Sequence, residues 1–281
     1  MLLRTQLSDS GRPDRKAPVD AARDVPVLRV PEWDAIPGLV HGFYGRRGGV
    51  SGGAFAELNL SFRVGDAPEA VEQNWRRVQA ATDGTVRFVT MRQVHGTDVA
   101  VVGPETLEMP VADALVTASP GLALSGLTAD CVPMLLVAPP SKGVAAVHAG
   151  WRGTLAGVPQ RVLAALQEKF AVQPQGIYAA LGPAVGGCCY EIEASIADAL
   201  EARWGVMPDA VRRDDRAAKK PAKAHLDLRR VNAAILARAG VPPDQIVSVG
   251  PCTCCNRTEY FSYRATNGTT GRQLSFIGWH D

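Results

Sequence analysis

The apolar positions of this chain concentrate between residues 114 and 149, where ALVT, LALSGLTADCVPMLLV and GVAAVHA follow one another with short Pro- and Gly-containing turns between them. Runs rich in Val, Leu and Ala with no helical period predict core strands buried on both faces. Three other stretches change to a period near 3.6. In residues 68–82, Val71, Trp75 and Val78 share a face, Pro68 falls in the first turn, and Asp66 with Glu69 reads as a capping box. Over 154–170 the face is Leu155, Val158, Val162, Leu166 and Phe170, with Pro159 in the first turns or at a kink. Over 228–240, Asp227 caps the start, and Gly240 and Pro242 end the helix. Shorter strands are expected at 25–30, 86–90 and 176–181. The last of these runs into a glycine-rich loop carrying Cys188, Cys189 and Tyr190, then into a helix. The C-terminal stretch reads as strand, Cys-rich loop, aromatic strand, hairpin and final strand. Residues 1–25 and 212–225 lack apolar periodicity, and are expected to be a flexible tail and a solvated charged loop.

Composition narrows the class. The chain has 281 residues, 46% hydrophobic and 21% charged, enough for one large core, and a single domain over 26–281 is expected. A net charge of +2, with no basic stripe interleaved with aromatics, argues against nucleic acid as a partner. The N-terminus lacks the apolar core of a secretory signal, and no stretch reaches the ~18 apolar residues of a membrane span, so the expected setting is the cytoplasm, without membrane association. In that setting the six cysteines are thiols or metal ligands rather than disulfides. A monomer is the expected state.

The candidate chemistry centres on residues 128–153. Cys131 opens one expected strand and His148 closes the next; as neighbours in one sheet they would converge at its edge, beside Arg152 and the start of a helix whose free N–H groups favour an anion. His95 precedes a glycine between two apolar runs, a strand-turn-strand context. His95, Cys131 and His148 together would make three N/S ligands with a fourth position open, the pattern of catalytic zinc. Cys131 as a nucleophile with His148 as base is the competing reading, and it has no need for His95. A copper oxidase is a third and a non-catalytic metal-binding protein a fourth; a multicopper centre lacks ligands, since the remaining histidines, His41, His225 and His280, are scattered. A zinc ribbon is not expected, because the close pairs Cys188/Cys189 and Cys252/Cys254/Cys255 read as lacking paired-ligand spacing. The CTCC cluster at 252–255 is read as loop packing ahead of a second metal site. Six glycines between Gly42 and Gly53 surround Arg46 and Arg47, a loop able to approach an anion.

Taken in order, RQVHGTDV, TADCVPMLL, AVHAGWRGT, LGPAVGGCCYEI and the closing FSYR…TGRQLSFIGW, with GFYGRRGGVSGGAFAELNL before them, resemble the laccase-domain family, long labelled multicopper polyphenol oxidoreductases, over about residues 38–279. Members of that family are regarded as purine nucleoside phosphorylases with adenosine deaminase and methylthioadenosine phosphorylase activity. The resemblance implies an α/β (α+β) domain of mixed sheets flanked by helices, similar to toxin-type Cys/His deamidases. It implies His95, Cys131 and His148 as zinc ligands, and purine nucleosides and phosphate as substrates. Arg46, Arg92, Gln93, Asp130, Arg152, Tyr190 and Arg264 fall in matching motifs around the pocket. Arg46 and Arg152 are the expected phosphate clamps, and Asp130 stands in for the glutamate of an HxE motif that the chain lacks. The chain departs from the resemblance at SYRAT, where relatives carry a second basic and an acidic residue.

Overall fold

In a computed structural model of the chain, which describes residues 25–82, 84–205, 207, 209–213 and 222–281, two large mixed sheets lie face to face and helices cover both outer surfaces. The tail expected over 1–25 lies outside the described residues apart from Val25, which is buried. The first sheet orders β1 (Val27–Leu28), β2 (Leu39–Tyr44), β14 (Gln273–Trp279), β6 (Leu122–Thr128) and β3 (Arg87–Val89). The second orders β13 (Ile246–Ser248), β9 (Tyr178–Leu181), β7 (Val132–Ala138), β8 (Gly143–Ala149), β5 (Ala114–Thr117) and β4 (Val99–Val101). A small third sheet joins β10 (Glu191–Glu193), β12 (Lys223–Leu226) and β11 (Val211–Arg213).

The continuous apolar run of β7 follows from its place in the centre of this stack. Leu135 and Val137 face the first sheet and pack with Leu124, Phe43 and Ile277. Val132, Met134 and Leu136 face the other way, against Val162 and Leu166 of α3 (Val158–Phe170) and Ile235 of α5 (Leu228–Arg238). Both faces of the strand are dry, so truncating any one of these leucines to alanine removes about 2–5 kcal/mol. On the far side of the first sheet, Val78 and Trp75 of α1 (Pro68–Ala81) pack with Phe276, Leu274 and Phe88.

Three local expectations are corrected. The run LALSGLTADCVPMLLV is two strands in two sheets: β6 ends at Thr128, Asp130 adopts φ 94°, and β7 starts at Val132 on the other sheet. The helix expected over 154–170 is also two, α2 (Trp151–Ala156) and α3, because Gly157 at φ 97° ends one and begins the other, and Pro159 then sits harmlessly in the first turn of α3. At Tyr263–Thr266 the expected aromatic strand is a helical turn, α6, because the Ser262 hydroxyl accepts from Ala265 N–H and caps it.

Smaller differences have equally local causes. Asp66 does not cap α1; its carboxylate accepts from Ser51, Asn59 and Ala67 N–H, tying loops together. Within the charged stretch 212–225, β11 and β12 form paired strands, and 214–221 lies outside the described residues. Residues 191–193 form a strand before α4 (Ala194–Trp204) begins. Asp227 caps α5 as expected, accepting from Arg229 and Arg230 N–H. No helix of the described residues is long and apolar enough to cross a membrane.

Candidate functional site

The crossing from β6 to β7 delivers Cys131 to the seam between the two sheets. β7 and β8 are antiparallel neighbours with Pro133 opposite His148 and Val132 opposite Ala149, so His148 emerges beside Cys131. His95 comes from a separate turn at φ 60°, and its Nε2 lies 3.9 Å from the Cys131 sulfur. The ligand atoms of His95, Cys131 and His148 all lie within 4.8 Å of one another, and the imidazole rings stand edge to face with centroids 4.7 Å apart. Gly150 leaves the room for this convergence: a Cβ there would come within 2.9 Å of His95 Cδ2 and 3.2 Å of the Cys131 sulfur.

Asp113, which the sequence reading did not single out, organises the cluster. It is fully buried. Oδ1 accepts from His95 N–H at 2.9 Å and pairs with His148 Nδ1 at 2.8 Å, and Oδ2 accepts from Val94 N–H at 3.2 Å and Gly96 N–H at 2.6 Å. One carboxylate therefore holds the left-handed His95 turn and fixes the tautomer of His148, leaving His148 Nε2 for the cluster. Its only signal in the sequence was a single acid at the start of an apolar strand.

The electrostatics of the metal-free cluster are those of an ion pair. Burial alone would raise the Cys131 thiol, but the positive His148 ring and hydrogen bonds from both histidines outweigh it and bring it down to about 6. Burial would likewise lower His148, and the Cys131 thiolate and the Asp113 carboxylate overcome it, raising the ring to about 9. Burial opposes ionisation of Asp113, and the bonds from His148 and the Val94 and Gly96 N–H groups prevail, holding it below the usual carboxylate range. Two imidazoles and one thiolate-forming sulfur, with a carboxylate orienting one ring from behind, fit a zinc-class ion, since the donor set is borderline-soft.

A cavity of about 1160 Å³ opens on the cluster, room for more than one small ligand. Of the residues expected at the site, His95, Cys131, His148, Asp130, Gln93, Arg152, Tyr190 and Arg264 line it, and Arg46 and Arg92 do not. Arg46 donates to the carbonyls of Ala56 and Arg257 and stacks over Phe261, so the glycine-rich loop uses its guanidinium to bind its own backbone. Arg47 pairs with Glu57 and Glu259. Arg92 is exposed at an isolated bridge to Val111.

Within the cavity wall, Gln93 makes a two-way amide bond to the backbone of Leu127. Asp130 accepts from the Thr253 hydroxyl and from Arg264 N–H, each at 2.6 Å, and its carbonyl accepts from Val185 N–H. Both carboxylate oxygens thus act as a strut among three loops. The Arg264 guanidinium stacks on Tyr190 and donates to the Glu191 carbonyl, Arg152 lies over the Trp151 ring, and burial pushes Tyr190 up to about 12. Arg272, another lining residue that the sequence reading passed over, is half-buried; burial lowers it, while the Cys131, Tyr263 and Asp130 charges oppose that shift. It lies in the TGRQ segment immediately before β14. The lining also includes the apolar Leu60, Trp75, Phe88 and Met91, with Arg63, Arg76 and Arg87 near them in the chain.

Residues 40–280 match the family described as multi-copper polyphenol oxidoreductase laccase. The chain belongs to this family. Relatives in it include a protein of Geobacillus stearothermophilus named purine nucleoside phosphorylase YlmD, 36% identical over 251 residues that cover 86% of this chain and 90% of that one. Another, of Streptomyces coelicolor, is named purine nucleoside phosphorylase SCO2081 and is 40% identical over 259 residues, 88% and 98% of the two chains. The crystal structure of YlmD from Geobacillus stearothermophilus superposes with a TM-score of 0.79 at 35% identity, covering 88% of this chain and 93% of that one. A Bacillus licheniformis hypothetical protein YfiH superposes with a TM-score of 0.81 at 29% identity, covering 93% and 98%. This laccase-domain chain therefore shares a mixed α/β fold with its relatives. The remaining histidines make no multicopper centre among the described residues: His41 accepts from Val30 N–H, His225 bonds the Gly187 carbonyl and His280 bonds Thr85.

Proposed function

We propose that this chain is a metal-dependent purine nucleoside phosphorylase that also deaminates adenosine. The observation that carries the reading is one cavity lined by a His2Cys donor set, by guanidinium groups and by apolar side chains, which suits an anion and a purine side by side. The names carried by its relatives support the same class of reaction. Adenosine, inosine, guanosine and methylthioadenosine are the proposed nucleosides.

In phosphorolysis the glycosidic C1′–N9 bond breaks, phosphate oxygen bonds C1′, and the base leaves with a proton to give ribose 1-phosphate. Arg152, Arg264 and Arg272 hold the phosphate, taking the part that sequence reasoning gave to Arg46 and Arg152. Arg264 is pre-positioned by its stack on Tyr190 and by Asp130, so little ordering is needed when the anion arrives. Tyr190 keeps its proton at neutral pH and donates to the nucleoside, while the apolar side chains take the purine face. In deamination water adds at C6 and ammonia leaves. His95, Cys131 and His148 would hold the ion, zinc by the donor set with copper as the alternative, and it would supply Lewis acidity toward water near neutral pH. Asp130, whose oxygens already accept two short bonds, is assigned a positioning role in place of proton transfer.

The test is to incubate metal-replete protein with adenosine, with and without phosphate, and to separate adenine, inosine, hypoxanthine and ribose 1-phosphate. Adenine and ribose 1-phosphate that form only with phosphate support phosphorolysis, and inosine that forms without it supports deamination. A second reading draws on the Cys131–His148–Asp113 alignment, which has the thiolate, imidazole and orienting carboxylate of a Cys/His hydrolase or deamidase. Turnover of an amide substrate by metal-stripped protein, with no nucleoside turnover by the metal-replete form, would select that reading.

A further inference from the structure

Five of the six cysteines line no part of the cavity described above, and four of these five cluster together. Cys188 and Cys189 sit in the turn after β9, and Cys252 and Cys255 in the loop after β13, about sixty residues further along the chain. The two loops are joined by backbone: Ala184 bridges Cys252, and Thr253 N–H donates to the Ala184 carbonyl. All four sulfurs lie within 4.8 Å of one another, with Cys188 to Cys255 at 3.5 Å and Cys189 to Cys255 at 3.4 Å.

Those separations discriminate between two chemistries. A disulfide needs sulfurs at about 2.05 Å. A tetrahedral ion with bonds of about 2.3 Å to sulfur spaces its ligands about 3.8 Å apart, and the four thiols already stand close to that arrangement. Cys252 and Cys255 also have CxxC spacing, which the close pairs of the sequence mask because Cys254, outside the four-sulfur group, stands between them. Gly186 N–H donates to the Cys252 sulfur at 3.2 Å, the type of bond that stabilises a ligating thiolate.

We propose that Cys188, Cys189, Cys252 and Cys255 form a second, structural metal site that takes a thiophilic divalent cation of the zinc class in a closed four-sulfur shell. On binding, four S–H bonds give way to four metal–sulfur bonds and four protons go to solvent, with no change of oxidation state. With no coordination position left open, the site does no chemistry of its own. It clamps the turn that leads to Tyr190 onto the loop whose Thr253 hydroxyl holds Asp130, and so sets one wall of the cavity from behind. Cys188 and Cys255 are exposed, which gives the ion a route in and a chelator a route to it.

Metal analysis of protein purified under reductant tests the proposal, with two equivalents per chain expected for wild type and one for the Cys188→Ser/Cys255→Ser double variant. Cobalt(II) added to metal-stripped His95→Ala protein isolates the four-thiol site without disturbing it, so it stands even where the double variant fails to fold. It should give the intense ligand-field and sulfur-to-cobalt charge-transfer bands of a tetrahedral tetrathiolate. The proposal is overturned if His95→Ala protein gives no such bands, if mass spectrometry finds these cysteines paired as disulfides in the reduced preparation, or if zinc leaves their rates of modification by a thiol reagent unchanged.

Discussion

Replacing Asp113 with asparagine isolates the one group on which the geometry of the cluster depends. The side chain keeps its size but loses an acceptor, and four donors converge on it, two per oxygen. With the amide oxygen in the Oδ1 position, Val94 and Gly96 N–H are stranded against an NH2 group. With the amide reversed, His95 N–H is stranded and His148 Nδ1 must become an acceptor, which moves its proton to Nε2 and blocks ligation. In either orientation at least one backbone donor of the partly buried turn loses its partner, and in the first orientation two do. At about 1–3 kcal/mol for each unsatisfied group the expected loss is roughly 1–6 kcal/mol across the two orientations.

At about 2–4 °C per kcal/mol for a chain of this size, a loss of ~4 kcal/mol lowers the melting temperature by roughly 8–16 °C. Metal affinity, measured by competition with a chromophoric chelator, should fall about 10–100-fold. The pH dependence gives an internal control. The folded Asp113 carboxyl titrates below its unfolded value, so its stabilisation is fully present above the unfolded value of about 3.9 and is lost as pH falls through the lower, folded one. The gap in melting temperature between wild type and variant should therefore narrow in strong acid, and in metal-stripped protein it should also narrow as pH rises from about 6.5 through 9, where His148 loses the proton that Asp113 helps to hold. A variant that melts within about 2 °C of wild type at pH 7 and holds metal equally well would refute the assignment of Asp113 as organiser.

Other outcomes follow from the same geometry. His95→Ala, at an exposed position, should remove the cavity's ion with little change in melting temperature; undiminished metal content in the pocket would count against His95 as a ligand. Gly150→Ala drives a methyl group between His95 and Cys131 and should abolish metal binding at this site while the circular dichroism spectrum is unchanged. Arg152→Gln should raise KM for phosphate about tenfold or more, with a smaller effect on KM for nucleoside, since the guanidinium stacks on Trp151 at the cavity wall; equal effects on both would assign it a general structural role. In metal-stripped protein, alkylation of Cys131 should be half-maximal near pH 6, where an ordinary thiol titrates at about 8.5, because the charge and hydrogen bonds of His148 overcome the effect of burial.

The parts of this molecule that could be read from its sequence are those specified by short-range pattern. The run VPMLLVA declares a strand buried on both faces, and the structure places it between the first sheet and α3. Because β8 follows β7 through a tight turn, the pairing that brings His148 to Cys131 is also local, and so it was legible. The break between β6 and β7 was not. Asp130 takes a positive φ of the kind glycine usually supplies, while Gly126 and Pro133, the residues that would mark a break, both lie inside the strands. Arg46 misled for the opposite reason: a basic residue among glycines suggests an anion, whereas here it satisfies carbonyls of its own loops.

Long-range juxtaposition is the common factor in what the sequence concealed. Asp113 acquires its importance from donors at 94–96 and 148, Arg272 from a cavity whose other walls are far away in the chain, and the four-thiol cluster from two loops with α4, β12 and α5 between them. No window of residues contains any of these relations. They arise where the two sheets part, because a strand that changes sheets leaves a seam at which several loops must be fastened to one another. In this chain Asp130 fastens them by hydrogen bonds at the cavity wall, and the cysteines stand behind it in a position to fasten the same loops by a metal ion. Loss of that ion should therefore loosen Tyr190 and Arg264 together, leaving the His2Cys cluster intact because Asp113, on β5's side of the seam, holds it independently.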